Sequence, residues 1–197
     1  MPGYHTDMAA SPPPKLTPAE YLALDRVSDV RYEYADGLAV AMSGGTLNHA
    51  ALIQAMGREM SIALRGRPCQ VTVAALRLQV AAASSYLYPD VMAICGAPAF
   101  ADGQKDMVSN PTVVVEVLSG STERWDRTGK FAKYRAVPTI QEYVLVSQNE
   151  MLIEWYTRRE NGEWVYRTAT GPDGICHLES LEIDLSLAEI YRGIDLA

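Results

Sequence analysis

The sequence predicts a mixed α/β fold around a central sheet, and three observations carry that expectation. Residues 47–65 place Leu52, Met56, Met60 and Ala63 at helical spacings of three and four, whereas residues 69–95 and 112–119 change to strand-like apolar runs. Helical character returns at 123–134 and gives way to another apolar strand, QEYVLVS at 141–147. Hydrophobic residues make up 48% and charged residues 21% of 197, enough apolar side chain to close a core and too much for global disorder.

Taken in order, residues 1–15 end in SPPPK, whose prolines cannot supply the backbone donors of a helix or central strand. A flexible tail is expected there, with one domain over 16–197. Thr17-Pro18-Ala19-Glu20 reads as a capping box with proline at the first helical position, opening a short helix to about Asp25. RYEYADGLAVAM, residues 31–42, holds two alternating runs around Asp36-Gly37, a dipeptide that accepts the positive φ of a tight hairpin turn. The 47–65 helix stops at Gly66. CQVTVAALRLQV, YLYPDVMAIC and TVVVEVLS then read as strands of one central sheet, with Pro89 marking a strand start, an edge or a bulge. MLIEWYTRR and EWVYRTAT flank Asn161-Gly162 as a second hairpin, and Ser186-Leu187-Ala188-Glu189 reads as a capping box opening a short last helix.

The charge balance is 17 − 24 = −7, and the pI is near 5.0. Non-specific wrapping of nucleic acid is therefore disfavoured, and any nucleic-acid site must be a local basic patch. The longest apolar stretch, 91–101, contains Gly and Pro and is far short of the roughly 20 residues of a membrane helix. The N-terminus lacks the basic start and apolar middle of a secretory signal, so a cytoplasmic location is expected, with no membrane partner. Cys69, Cys95 and Cys176 have neither metal-ligand spacing nor disulfide-scaffold density, which reads as reduced, mostly packed thiols.

Glu116 is the most informative residue. It sits in a run of valines, 112–118, so apolar that both strand faces should be covered, where an isolated carboxylate would cost several kcal/mol to desolvate. Val114 and Leu118 share its face and supply no charge, so compensation must come from another element or from a metal. Asp90 repeats the situation on a second strand. Two such carboxylates repel if they meet, unless a divalent cation lies between them or one keeps a proton. An oxygen site of the Mg²⁺ type answers that; the alternative is that Asp90 caps a turn and Glu116 pairs with an arginine.

The segment after the second strand carries Asp126, Lys130 and Tyr134 at spacings of four, and either points this face at the carboxylates or leaves it solvated with an Asp126–Lys130 ion pair. Arg124, Arg127, Lys130, Lys133 and Arg135 form a basic stripe suited to phosphate contact. His49 lies on the apolar stripe of the long helix, which fits a packed, hydrogen-bonded histidine as well as a ligand. Glu33 in its hairpin fits a solvent-facing or arginine-paired glutamate. Trp155, Tyr156 and Trp164 fit cross-strand packing or base stacking.

Together, Pro89-Asp90, the valine strand ending Glu116-Val117-Leu118-Ser119, then Ser121-Thr122, Asp126, Lys130 and Tyr134 resemble the Uma-two family of restriction-endonuclease-like proteins in the PD-(D/E)XK nuclease superfamily. Residues 31–37, Asn48-His49 and 141–146 also resemble that family, over about 16–192. The resemblance implies a restriction-endonuclease-like central mixed sheet flanked by helices, with additional hairpins, in a homodimer. It implies a Mg²⁺- or Mn²⁺-dependent endonuclease acting on nucleic acid, DNA before RNA. Asp90 and Glu116 would hold the metal with the Val117 carbonyl. Glu33 would be an accessory acid and Lys130 would orient or activate water. The superfamily's lysine belongs two residues after Glu116, where this chain has Leu118, which makes Lys130 the replacement or the fold a non-catalytic scaffold for binding or assembly. Hydrolysis of a small phosphorylated molecule is a third reading.

Overall fold

A computed structural model describes residues 15–196, so that nearly all of the expected N-terminal tail lies outside the described residues. The first helix, α1 (Pro18–Val27), is opened by the expected capping box: the Glu20 N–H donates to the Thr17 hydroxyl at 3.3 Å, and Glu20 Oε2 accepts from the Thr17 N–H at 2.7 Å. Strands β1 (Tyr32–Ala35) and β2 (Leu38–Ala41) form the expected hairpin, with Asp36 at φ 54° and Gly37 at φ 88° as its turn requires. The long helix α2 (Leu47–Ala63) is capped by the Thr46 hydroxyl and buries Leu52, Ile53, Met56 and Met60.

The strand region then departs from expectation. Instead of one central sheet, the remaining strands divide between two. These are β3 (Cys69–Val73), β4 (Arg77–Val80), β5 (Ser85–Leu87), β6 (Val91–Cys95), β7 (Met107–Val108), β8 (Val113–Val117), β9 (Glu142–Val146), β10 (Leu152–Arg158) and β11 (Trp164–Thr170). A six-stranded mixed sheet runs β11-β10-β9-β8-β6-β3, parallel at β8–β9, and a five-stranded sheet runs β2-β1-β5-β4-β7. The apolar runs that look continuous in sequence are each cut in two. Ala74, at φ 44°, turns the chain from β3 to β4 and donates its N–H to the Asp90 carbonyl at 2.8 Å. Pro89, with no N–H to offer a ladder, separates β5 from β6. A hairpin of β12 (Ile175–Leu178) and β13 (Ile183–Ser186) completes the strands, and Ser186 starts the last helix, Leu187–Ile190, without the side-chain cap expected of it.

Alternation along the strands assigns the two faces of the six-stranded sheet. Val113, Val115 and Val117 pack with α2 and the β12–β13 hairpin, while Val114, Leu118, Tyr143 and Leu145 pack with the 123–135 helix and the inner face of the five-stranded sheet. All five residues of β8 are buried, the signature of a strand covered on both sides.

The thiol reading is corrected. Antiparallel pairing of β3 with β6 sets Cys69 opposite Cys95, and the two are joined in a disulfide, a juxtaposition hidden by their separation of 26 residues. Cys176 is free and buried, as expected. No helix among the described residues is long and apolar enough to cross a membrane.

Candidate functional site

Five elements converge on one cavity of about 590 Å³. Asp90 enters from the residue before β6, and Glu116 from the middle of β8. Both lie on the sheet face that meets the 123–135 helix, as the two-residue period requires. That helix supplies Asp126 and Lys130 to the lining and Tyr134 as a hydrogen-bond partner of Glu116, β1 supplies Glu33 and α2 supplies His49.

The helix is not regular. Its ends, Glu123–Trp125 and Phe131–Arg135, are α-helical, and Asp126–Lys130 is a π-helical stretch. In a regular α-helix, eight residues at about 100° each would leave positions 126 and 134 some 80° apart around the axis. The wider π turn takes back part of that offset, and Asp126, Lys130 and Tyr134 are all buried.

Lys130 sits at the centre of the charges. Its ammonium is 3.0 Å from Glu33 Oε1, 3.2 Å from Glu116 Oε1 and 3.3 Å from Asp126 Oδ1. Only 5% of Lys130, 2% of Glu116 and 1% of Asp126 is exposed, so the reading of this face as a solvated ion pair is overturned. The partner that Glu116 requires is this lysine, together with the Tyr134 hydroxyl, which donates to Oε1 at 2.5 Å. Asp126 Oδ2 accepts from the Thr122 hydroxyl at 2.7 Å, whereas its buried Oδ1 accepts no hydrogen bond and has the Lys130 ammonium as its compensation. Glu33 Oε1 also accepts the Tyr88 N–H at 3.1 Å.

Asp90 Oδ2 accepts the Val117 N–H at 2.7 Å, which ties the first acid to the residue after the second. His49 Nε2 lies 3.0 Å from the Val117 carbonyl and 3.7 Å from Asp90 Oδ2. A carbonyl cannot donate, so Nε2 carries the proton in that contact. His49 is thus a packed, hydrogen-bonded histidine that also touches the acid cluster.

Four carboxylates, Glu33, Asp90, Glu116 and Asp126, share this region with one lysine. Burial raises the Asp90 carboxyl above its ordinary range, against the Val117 N–H, His49 and Lys130. Burial pushes Glu116 well up; Lys130 opposes, and Asp90, Asp126 and Glu33 add to the rise. Burial pulls the Lys130 ammonium down, but Glu116, Glu33 and Asp126 outweigh it, so the lysine holds its proton more tightly than a free one. The consistent picture is a cationic Lys130 amid an excess of buried negative charge, in which Asp90 and Glu116 favour protons or another cation.

The basic stripe is divided. Lys133 pairs with Asp36, and Arg127 with Glu123 and Glu154, while Arg124 and Arg135 are exposed. Trp155 is buried on one face of its strand, and Tyr156 and Trp164 pack with Phe131 on the other, so the hairpin aromatics are packing residues.

A family model named Uma2 and described as "Putative restriction endonuclease" matches residues 18–189. The chain belongs to the Uma2 family. Two uncharacterized proteins of Synechocystis sp. are similar to this Uma2 chain, one 34% identical over 94% of this chain and 96% of its own, the other 33% identical over 89% and 95%. A solved structure described as a putative nuclease belonging to DUF820, from Anabaena variabilis, superposes with a TM-score of 0.73 at 15% identity, covering 89% of this chain and 97% of that one. The Uma2 chain therefore has the restriction-endonuclease-like fold expected from its motifs.

Several residues around the site escape sequence reasoning. Arg77 and Asp25 form a buried ion pair, and the Tyr88 hydroxyl donates to Asp25 at 2.9 Å while accepting from Arg77 Nε at 3.0 Å. This network fixes the Tyr88-Pro89-Asp90 segment and, through the Tyr88 N–H, Glu33. Gln148 donates to the Leu118 carbonyl and accepts from Thr46. Separations of 52 residues for Arg77–Asp25 and 102 for Thr46–Gln148 leave these pairs without a spacing signal.

Proposed function

We propose that this Uma2 chain is a divalent-metal-dependent nuclease that hydrolyses phosphodiester bonds of nucleic acid, DNA before RNA, in the cytoplasm. The observation that carries the reading is the buried cluster of four carboxylates around one ammonium at the cavity. This cluster has acid in excess, and among the described residues the buried Asp126 Oδ1 has no hydrogen bond, only the Lys130 ammonium at 3.3 Å. The donors are carboxylate oxygens and a carbonyl, the set that hard cations such as Mg²⁺ or Mn²⁺ take.

Among the described residues, no three Asp, Glu, His or Cys side chains form a group that could hold a metal ion by themselves. Asp90 and Glu116 would therefore hold the cation with the Val117 carbonyl, the remaining positions falling to water or phosphate oxygens, as is usual for Mg²⁺. When bound, the cation supplies Lewis-acid stabilisation of the charge that builds on the phosphate and favours ionisation of water.

The chain's own groups divide the rest of the work. Lys130, its ammonium held among Glu116, Glu33 and Asp126, would act as a positive charge that orients water and phosphate. Its place 3.2 Å from Glu116 supports the reading that it replaces the lysine missing at Leu118. Tyr134 orients Glu116, His49 orients the Val117 carbonyl, and Glu33 and Asp126 hold the lysine. Arg124, which is exposed, would meet phosphates, while Arg135, stacked over the Phe131 ring, and Lys133 and Arg127, paired with acids, would first leave those partners. A homodimer is part of this reading, because β11 and β3 end the six-stranded sheet with edges unpaired among the described residues.

The test is calorimetric titration with Mg²⁺ and Mn²⁺, paired with cleavage of labelled oligonucleotides, on the parent, Asp90→Asn and Glu116→Gln. Metal uptake and cleavage should be lost in both variants while far-UV circular dichroism stays unchanged. Uptake and cleavage equal to the parent in both variants would end the proposal.

A further inference from the structure

The acids account for one side of the cavity but not for the other. Leu38, Val40 and Met42, on and just after edge strand β2, line it while 37%, 61% and 37% exposed. Trp125 lines it as well, one residue before the π-helical stretch. The indole lies so close over Gly129 that a Cβ built there would sit 1.7 Å from its Cζ3, so glycine at 129 is what lets the ring lie along the helix. An indole lying along its helix and three exposed aliphatic side chains thus line the same cavity as the carboxylates.

An apolar wall of this kind contributes nothing to holding a phosphate or a cation. It suits a flat, weakly polar group joined to the phosphate, because aromatic and aliphatic side chains bind bases by stacking and area burial. A volume of about 590 Å³ lies in the range of small-ligand pockets, roughly 300–1,000 Å³. A base can enter such a pocket only when it is out of the stack.

We infer that Trp125, with Leu38, Val40 and Met42, receives one unpaired nucleobase beside the phosphodiester to be cut, so that the substrate is single-stranded or locally unpaired nucleic acid rather than intact duplex. The inference rests on the nuclease reading and narrows it. Trp125 touches substrate in this assignment, Gly129 is a positioning residue, and the exposed aliphatic surface of β2 has a ligand instead of standing idle against water.

The experiment uses the full chain with Ca²⁺ in place of Mg²⁺ to hold back cleavage. Fluorescence anisotropy compares a labelled single-stranded DNA 12-mer, the RNA of the same sequence and the matching DNA duplex, each against the parent, Trp125→Ala, Trp125→Phe and Val40→Glu. The single strands should bind at least about tenfold more tightly than the duplex, and Trp125→Ala should weaken single-strand binding by about tenfold while leaving duplex binding alone. Trp125→Phe should keep most of the affinity, and Val40→Glu, at an exposed position that tolerates charge, should lose it. The tighter of the two single strands identifies the preferred sugar. Equal binding of duplex and single strands, or single-strand binding indifferent to both Trp125→Ala and Val40→Glu, overturns the inference and leaves the nuclease reading standing. If no oligonucleotide binds and none is cut with Mg²⁺, the nuclease reading itself falls and takes this inference with it.

Discussion

Glu116 and Glu142 stand on adjacent parallel strands of one sheet, both are buried, and they have opposite kinds of neighbours. Glu142 accepts from the Glu179 N–H at 2.8 Å, the Ser180 hydroxyl at 2.6 Å and the Thr157 hydroxyl at 3.4 Å, all neutral donors that sew β9 to the β12–β13 hairpin and to β10. Glu116 meets an ammonium, a phenol and the field of three other acids. One carboxylate is satisfied and closed; the other is held in a charge imbalance that only a proton or an added cation removes. Burial alone therefore does not single out a candidate acid; the sign of the surrounding charge does.

The largest expected effect tests that contrast through activity. Glu116→Gln and Asp90→Asn should each lower Mg²⁺-dependent cleavage by at least about a hundredfold, whereas Glu142→Gln should cut at the parental rate. A Glu142 variant that is equally inactive while fully folded would erase the distinction. Next, Lys130→Met should lose about 3–5 kcal/mol in urea unfolding, since it strips the single ammonium from a buried acid cluster. Added Mg²⁺ should then stabilise Lys130→Met more than the parent, because the ion replaces the missing charge. Glu142→Ala should cost less, about 1–3 kcal/mol, as the Glu179 N–H and Ser180 hydroxyl lose their acceptor, and Mg²⁺ should not restore it.

The smallest effect is a pH slope. Burial raises the Glu142 carboxyl above its ordinary value, against the hydrogen bonds it accepts from Ser180, Glu179 and Thr157. A folded-state pKa above the unfolded one means that this group's contribution is full below the unfolded pKa and declines as pH rises through the folded pKa. Unfolding midpoints taken from pH 4 upward should therefore fall more gently in Glu142→Gln than in the parent. An identical slope in the two proteins would show that Glu142 ionises without penalty.

Much of the site is legible in the chain because burial of charge leaves a local trace. A glutamate among valines announces that something must compensate it, and Asp126, Lys130 and Tyr134 at fours announce a common face. What is not legible depends on long-range register. The Cys69–Cys95 pairing follows from how β3 meets β6, and the division of strands into two sheets follows from Ala74 and Pro89 breaking ladders that the apolar pattern alone leaves continuous. The Arg77–Asp25–Tyr88 network joins residues 52 and 63 positions apart, beyond any spacing rule. Capping by Ser186 fails for the opposite reason: a local motif is present, yet the residue already serves as the end of a strand.

The widened turn between Asp126 and Lys130 makes this helix sensitive to length in a way that its composition conceals. Removing one uncharged residue from that turn, Thr128 or Gly129, would preserve every charge and the apolar count, yet relax it to a regular pitch and leave the lysine three residues, about 60° around the axis, from the acid that precedes it. A one-residue gap at that point in another chain would therefore say more about whether its centre can work than a change in any single side chain along the same stretch.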